Sequence, residues 1–491
     1  MYLPAMFAAT DRRELLAHAH AHPFATVTSC LDGDLAVGHL PLLVDGDRGV
    51  LRGHLARENP QYRHFAEGAP VVAVFHGPHG YVSPSVYGGP GVPTWNYVVV
   101  HVRGRVRLVD APELIDAVRA GADYLVRGMN ARGDFSYLVH PGTGSLDPGY
   151  SALRHAGTIY ALADAYTETR AHEHIAAAEA AIKAMLPRLT QTPDGAFLSD
   201  RENEEQLKVG GGGLALIALV RFTEASGDRS YLETMRSLAK YIVHQQYPDG
   251  HYRSNLDVRA ENDGGASKKK VKKEIWYFPG EATLGLVRLH AIDPDPAWLD
   301  AATKAADYTI ANEKPSIANH WLSYALLDLY RFTRKQAYAD HAFAIAQNIS
   351  DGLISPGVAD APDQIGGIDA RGETTPVATR LEATVAIFEL ARFMGKDDGM
   401  LRRLALLMAA FTTGQQLDRR SAYLARDPGK VVGGVRESLL NADIRIDYDQ
   451  HAMCAWLRLA RLLRDPQYGK DVVAQDGGAH DIAHGNTPKY P

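Results

Sequence analysis

The chain has 491 residues, 46% hydrophobic and 22% charged, with a formal net charge of −6. At about 100–200 residues per domain, this length predicts two to four folded domains. The acidic balance argues against a dedicated nucleic-acid or anionic-membrane surface.

In chain order, Asp11 reads as the N-cap of a helix reaching about His20 and ending before Pro23. Strands are expected at Phe24–Cys30, Leu35–Val44, Gly49–His54, Val71–His76, Tyr81–Ser83 and Tyr97–Val109, with Asp-Gly hairpin turns at 32–34 and 45–47. Short antiparallel strands in about 110 residues predict a small barrel. Beyond that point the texture changes to long Ala/Leu-rich segments. One helix set is expected to start near Glu113, His172, Ser230, Ala297, Tyr338 and Asp398. The other starts near Tyr150, Gly211, Pro279, Ala318, Thr379 and Asp449. Six plus six alternating helices predict an α/α toroid of six hairpins, with an open solenoid as the competing architecture. The Gly-, His- and Asp-rich tail Gln475–Pro491 has no periodicity and is expected to be loosely ordered.

The two cysteines, Cys30 and Cys454, read as packed, reduced thiols of a reducing compartment. The start Met1–Phe7 lacks the pattern of a signal peptide, and no apolar run approaches the ~18 residues needed to span a bilayer. A cytoplasmic protein without membrane partners is therefore expected. Of His18, His20 and His22, only the first and last share a helix face, so no metal set is expected there.

Five motifs occur in order in the first 110 residues. They are Met1-Tyr2-Leu3-Pro4 with Phe7, Gly38-His39-Leu40-Pro41-Leu42-Leu43, Leu51–Pro60, Tyr81-Val82-Ser83-Pro84-Ser85, and Val92-Pro93-Thr94-Trp95-Asn96-Tyr97 followed by His101. On these motifs the segment resembles the PaiB family of FMN-binding negative transcriptional regulators. The resemblance implies a flavin-reductase-like split barrel, a homodimer formed through the barrel, and FMN near the subunit interface. The cofactor-binding candidates are His39, Arg52, His54, Arg57, Asn59, Ser83, Ser85, Thr94, Trp95 and Asn96. Cations and hydroxyls suit a flavin phosphate, and Trp95 offers a flat wall for the isoalloxazine. The loop 85–92 is shorter than the family's and lacks its lysine-bearing segment. The family's C-terminal extension is replaced from Glu113 onward.

In a toroid, the N-termini of the inner helices open on one rim, where free N–H groups and dipoles favour anionic or polyhydroxylated ligands. The candidate catalytic residues on that rim are Arg154, His155, Tyr277, Glu281, His320, Arg380, Glu382, Asp447, Asp449 and His451, a set suited to general acid/base chemistry. The helical part resembles, in architecture and rim chemistry, the toroids of N-acylglucosamine 2-epimerases, glucuronyl C5-epimerases and unsaturated glucuronyl hydrolases. A zinc-dependent lanthionine-cyclase toroid would need a Cys/His set that the lone Cys454 cannot supply. A glycine loop with five lysines, Asp263–Glu274, precedes Trp276 and Tyr277 and reads as a solvated loop or as a flap for an acidic substrate.

The expected chain is thus a multidomain β + α protein: a split β-barrel over 1–110, an (α/α)6 toroid over 111–470, and a tail over 471–491. Three functions follow as expectations. The first is an FMN-binding bifunctional enzyme, with flavin redox chemistry in the barrel and acid/base chemistry on a polar or acidic sugar- or peptide-like substrate in the toroid. The second is a non-enzymatic regulator sensing flavin or haem, with the toroid as a partner scaffold. The third is a toroid epimerase, lyase or hydrolase whose barrel only dimerises.

Overall fold

The computed structural model describes residues 8–31, 33–46, 50–53, 55, 59–65, 69–86, 89–106, 111–198, 206–253, 255–257, 277–315, 317–355, 362–396, 398–465 and 468. The lysine loop 263–274, Trp276, His54, Arg57, the start 1–7 and the tail 475–491 lie outside the described residues.

Helix α1 (Arg12–Ala21) starts where Asp11 accepts a hydrogen bond from the Arg13 N–H. Strands β1 (Phe24–Leu31), β2 (Asp34–Pro41), β5 (Pro70–Val82) and β6 (Thr94–Arg105) form an antiparallel sheet in the order β2-β1-β5-β6, while β3 (Leu43–Asp45) pairs with β4 (Val50–Arg52). Ala25, Val27, Ala73, Phe75 and Val100 of the sheet's inner face bury against Ala19 of α1, Leu42, Val44 and Phe65.

Two expectations are corrected by proline, which has no N–H to donate. The run Leu35–Val44 breaks after Pro41, and the Leu42 N–H bonds to the Pro23 carbonyl instead (2.8 Å). The separate strands expected at 71–76 and 81–83 are one strand whose register shifts between His76 and His79, at Pro78.

Twelve long helices follow among the described residues. Six are outer: α2 (Ala111–Arg127), α4 (His172–Met185), α6 (Leu232–His244), α8 (Pro296–Asn312), α10 (Gln336–Gly352) and α12 (Gly399–Thr413). They alternate with six inner ones: α3 (Ala152–Thr169), α5 (Val209–Ser226), α7 (Phe278–Ile292), α9 (His320–Thr333), α11 (Thr374–Phe393) and α13 (Ile446–Arg464). Each inner helix packs on the next, and α13 packs back on α3, so the array is a closed ring and not an open solenoid. Helix α11 starts five residues before the expected Thr379, because Pro376 is tolerated in a first turn.

Charge pairs in the C-terminal halves of the inner helices bridge five of the six junctions of this ring. Asp164 of α3 takes Arg221 of α5 (2.6 Å) and Arg461 of α13 (3.1 Å). Glu389 of α11 takes Arg331 of α9 (2.6 Å) and Arg458 of α13 (3.1 Å), and Asp328 of α9 meets Arg288 of α7 (3.3 Å). Burial works against the charge of Asp164 and Glu389, but the surrounding guanidiniums hold both carboxyls below their usual range. The cations also complement the negative ends of the helix dipoles. At the sixth junction, α5–α7, the helices approach through glycine: a side chain at Gly213 would collide with the backbone of Glu281 and Ala282.

Removing one member of a buried pair leaves the other charge unpaired. Glu389→Ala is therefore expected to cost ~3–5 kcal/mol in urea unfolding, and a loss under about 1 kcal/mol, the scale of a surface pair, would mean that this network does not hold the ring.

Candidate active site

At the opposite, N-terminal end of the ring, three consecutive inner helices aim polar groups at one point. Glu382 on α11 accepts a hydrogen bond from His451 of α13, Nδ1 to Oε2, at 2.6 Å. The Tyr324 hydroxyl of α9 reaches Glu382 Oε1 at 3.4 Å. His320, the first residue of α9, has Nε2 3.7 Å from Glu382 Oε2, too far for a hydrogen bond. Among the described residues neither ring nitrogen of His320 has a hydrogen-bond partner, although the residue is only 5% exposed. Trp321 packs beside both imidazoles, with ring centroids 4.6 Å from His320 and 6.1 Å from His451.

These groups are poised by dryness. Burial pushes Glu382 above the usual carboxylate range, an effect His451 opposes. Burial, with His451 nearby, holds His320 well below the ordinary imidazole range, so it stays neutral. One turn before His451, Asp447 is gripped by Arg445 (2.6 Å) and by Arg154 of α3 (3.2 Å). Burial opposes its charge, but the bond from Arg445 and the field of Arg154 hold its carboxyl below the usual range. Arg154 also donates to the Tyr137 hydroxyl. Tyr277, the residue preceding α7, feels the charges of Glu281, Arg154 and Asp447. Glu281 is buried with Oε2 unpartnered among the described residues, packed against Gly210, and burial drives its carboxyl well above the usual range.

Three expected members are placed elsewhere. His155 faces the outer helix α4, bonding the Ala181 carbonyl at 2.9 Å between the rings of Phe135 and Tyr150. Asp449 does not cap α13; it lies inside the first turn, and its Oδ1 accepts the Val435 N–H at 2.9 Å. It lies two residues from Asp447, about 200° around the helix, so the two point to different sides. Arg380 donates to the Pro376 carbonyl of its own helix at 2.9 Å, and the charge it feels is that of Asp369.

In the β domain, Tyr81 and Trp95 stand opposite each other on β5 and β6, as do His79 and Tyr97. Trp95 is 56% exposed, with its ring 6.3 Å from that of Tyr81. Directly after β5, the hydroxyls of Ser83 and Ser85 bond each other at 2.8 Å. An exposed aromatic wall ending in hydroxyls suits the ring and phosphate of FMN, and Arg52 is partly exposed on β4, in the separate two-stranded sheet. The other described candidates make their hydrogen bonds elsewhere or face away from that wall. Asn59 spends its side chain capping the turn Pro60–His64, accepting from the Gln61 N–H. Thr94 donates to the Val92 carbonyl, and Asn96 is exposed on the opposite face. His39 bonds Thr26 in a depression lined also by His22, Phe24 and His76.

Residues 1–128 match the family described as "Putative FMN-binding domain". This is the segment expected to be PaiB-like. Over 118 residues it is 36% identical to "Protease synthase and sporulation protein PAI 2" of Bacillus subtilis, a match covering 24% of this chain and 57% of that protein. The chain thus spans little more than half of that relative. The rest is similar in fold to solved toroids. A D-mannose isomerase is 15% identical with a TM-score of 0.54, covering 72% of this chain and 97% of that one. A family 76 glycoside hydrolase from a bovine Bacteroides thetaiotaomicron strain is 10% identical with a TM-score of 0.55, covering 89% and 92%. No helix among the described residues is long and apolar enough to cross a membrane.

Sequence reading missed Tyr137, Tyr324 and Arg445. Tyr324 carried a signal, lying four residues after His320 on the same helix face.

His155 shows what burial does to a structural imidazole. Burial lowers its pKa to about 4, against the pull of its bond to Ala181. The unfolded chain therefore binds more protons between about pH 6.5 and 4, and stability present above that window is lost as pH falls through it. His155→Asn is expected to lose about 3 kcal/mol less than the parent over this range, measured by urea unfolding at several pH values. Parallel curves would contradict the assignment.

Proposed function

We propose that the toroid moves a proton at the carbon next to the carbonyl of an open-chain sugar, giving epimerisation or aldose–ketose isomerisation. The arrangement of Glu382, His451 and His320 carries this reading. Such chemistry needs one group with a free lone pair to take a proton and one that carries a proton to return it. His451, oriented by Glu382 through Nδ1, presents its other nitrogen as one exchanging group. His320, neutral and unpaired, is the second. Arg154 and Tyr277 border the mouth and orient hydroxyls.

Glycoside hydrolysis would ask for two carboxyls flanking the bond, one acid and one base. Glu281 and Asp447 have the required opposite pKa directions, but both oxygens of Asp447 are already engaged by arginine. The two-histidine site is the better supported.

The β domain is read as a flavin-binding module. Arg52, Ser83 and Ser85 would hold the phosphate, and Tyr81 and Trp95 the ring. FMN, when bound, supplies hydride and single-electron transfer. A second copy of the chain would cover the exposed Phe24, Leu35 and Val37 of β1 and β2, which are 65%, 68% and 62% exposed.

Glu382→Gln, His320→Ala and His451→Ala are each expected to lower kcat/KM for conversion of a reducing aldose by ~10²–10⁴-fold with the fold retained. The assay is a panel of aldohexoses, N-acetylhexosamines and reducing disaccharides, with circular dichroism as the folding control. Full activity in the variants, or no conversion by the parent, overturns the reading. For the β domain, FMN fluorescence is expected to be quenched on titration of the chain. Trp95→Ala with Ser83→Ala should weaken that binding by about tenfold, the scale of one 1.4 kcal/mol interaction; unchanged binding would remove the flavin site from this wall.

A further inference from the structure

One buried feature is left unexplained by helix packing. His320 is enclosed, yet neither of its ring nitrogens has a hydrogen-bond partner among the described residues. A buried polar atom left without a partner forfeits its solvation, so a ligand for it is called for. One ligand atom from each of His320, Glu382 and His451 lies within 4.8 Å of the others. We propose that these three residues bind a late first-row divalent cation, of which zinc is the representative. Two imidazoles and one carboxylate, with a further position left for water or a sugar oxygen, form a donor set that such cations take.

The geometry asks for little movement. With bonds of ~2.0–2.1 Å, neighbouring ligand atoms in a tetrahedral site stand about 3.4 Å apart. His320 Nε2 and Glu382 Oε2 are already at 3.7 Å. The 2.6 Å bond between His451 Nδ1 and Glu382 Oε2 opens by under about 1 Å as the metal displaces the shared proton. Tyr324, reaching the other carboxylate oxygen, steadies Glu382 in both states. The groups lie on three adjacent inner helices whose far ends are tied by ion pairs, so the set is preformed.

A consequence follows that rests on the acid–base reading. A metal ion on His320 and on Nδ1 of His451 takes the one free lone pair of each neutral imidazole and leaves the other ring nitrogen as N–H, so neither ring can accept the proton and zinc inhibits sugar conversion.

The test uses the full chain, stripped with chelator and dialysed, titrated with zinc against a chromophoric chelator. One tight site per chain is expected, weakened about 100-fold in Glu382→Gln and in His320→Ala, and unchanged in His172→Ala, an exposed histidine outside the cluster. Equal stoichiometry and affinity in all variants overturns the site. X-ray absorption of the zinc-loaded parent protects against a variant that fails to fold: two imidazoles with oxygen supports the proposal, and a shell with one imidazole or none overturns it. Zinc that binds but leaves sugar conversion untouched sustains the metal site and contradicts the acid–base reading. Sugar conversion lost in Glu382→Gln, with no zinc binding to the parent, does the reverse.

Discussion

The ring is held at one end by buried carboxylate–guanidinium pairs, and everything at the other end depends on them. Asp164 ties α3 to α5 and α13, Glu389 ties α11 to α9 and α13, and Asp328 ties α9 to α7. Such pairs contribute little net stability, because desolvation offsets most of their attraction. Their effect is geometric: a carboxylate held between guanidiniums of two neighbouring helices fixes the rotation of each helix about its own axis. With rotation fixed at the C-terminal end, residues two turns earlier are aimed as well. Glu389 and Glu382 are seven residues apart on α11, two turns along the same face. The first is locked by arginines and the second is delivered to His320 and His451.

The two ends of the ring use burial in opposite ways. At the base, guanidiniums hold the buried carboxyls of Asp164 and Glu389 below their usual range. At the mouth, Asp447 has its arginines, but other buried groups lack such partners among the described residues. His320 and Glu281 are buried without hydrogen bonds to one or more of their polar atoms among the described residues, and the hydrogen bonds to Glu382 come from an imidazole and a phenol. Withheld partners leave lone pairs and protons available to a ligand at neutral pH. The same deficiency accounts for both the proton chemistry and the cation binding proposed for this cluster.

Much of this was legible in the residues. Ala/Leu-rich segments separated by Gly-aromatic loops gave all twelve helix starts to within about five residues. The ordered motifs of the β domain pointed to the family whose description residues 1–128 match. His320, Glu382 and His451 were recognisable as rim residues, but not as one cluster, since 62 and 69 residues separate its bonded and neighbouring pairs. His155 and Asp449 misled for a definable reason. Each sits in the first turn of an inner helix, where polar residues either face the mouth or tie down the outer layer, and helix phase alone decides which. Prolines mark both strand errors, in opposite senses: β2 ends at Pro41 although the periodicity continues, while β5 runs on through Pro78 with only a shift of register.

The central claim is that a dry pair of imidazoles beside one carboxylate exchanges a carbon-bound proton of a sugar. Proton NMR of a reducing aldose incubated with the chain in D₂O tests this most directly, since it registers each exchange event whether or not product accumulates. The account predicts that the C2 proton signal fades with the parent protein and persists with Glu382→Gln. A C2 proton that persists across aldoses in the presence of folded parent chain would contradict it.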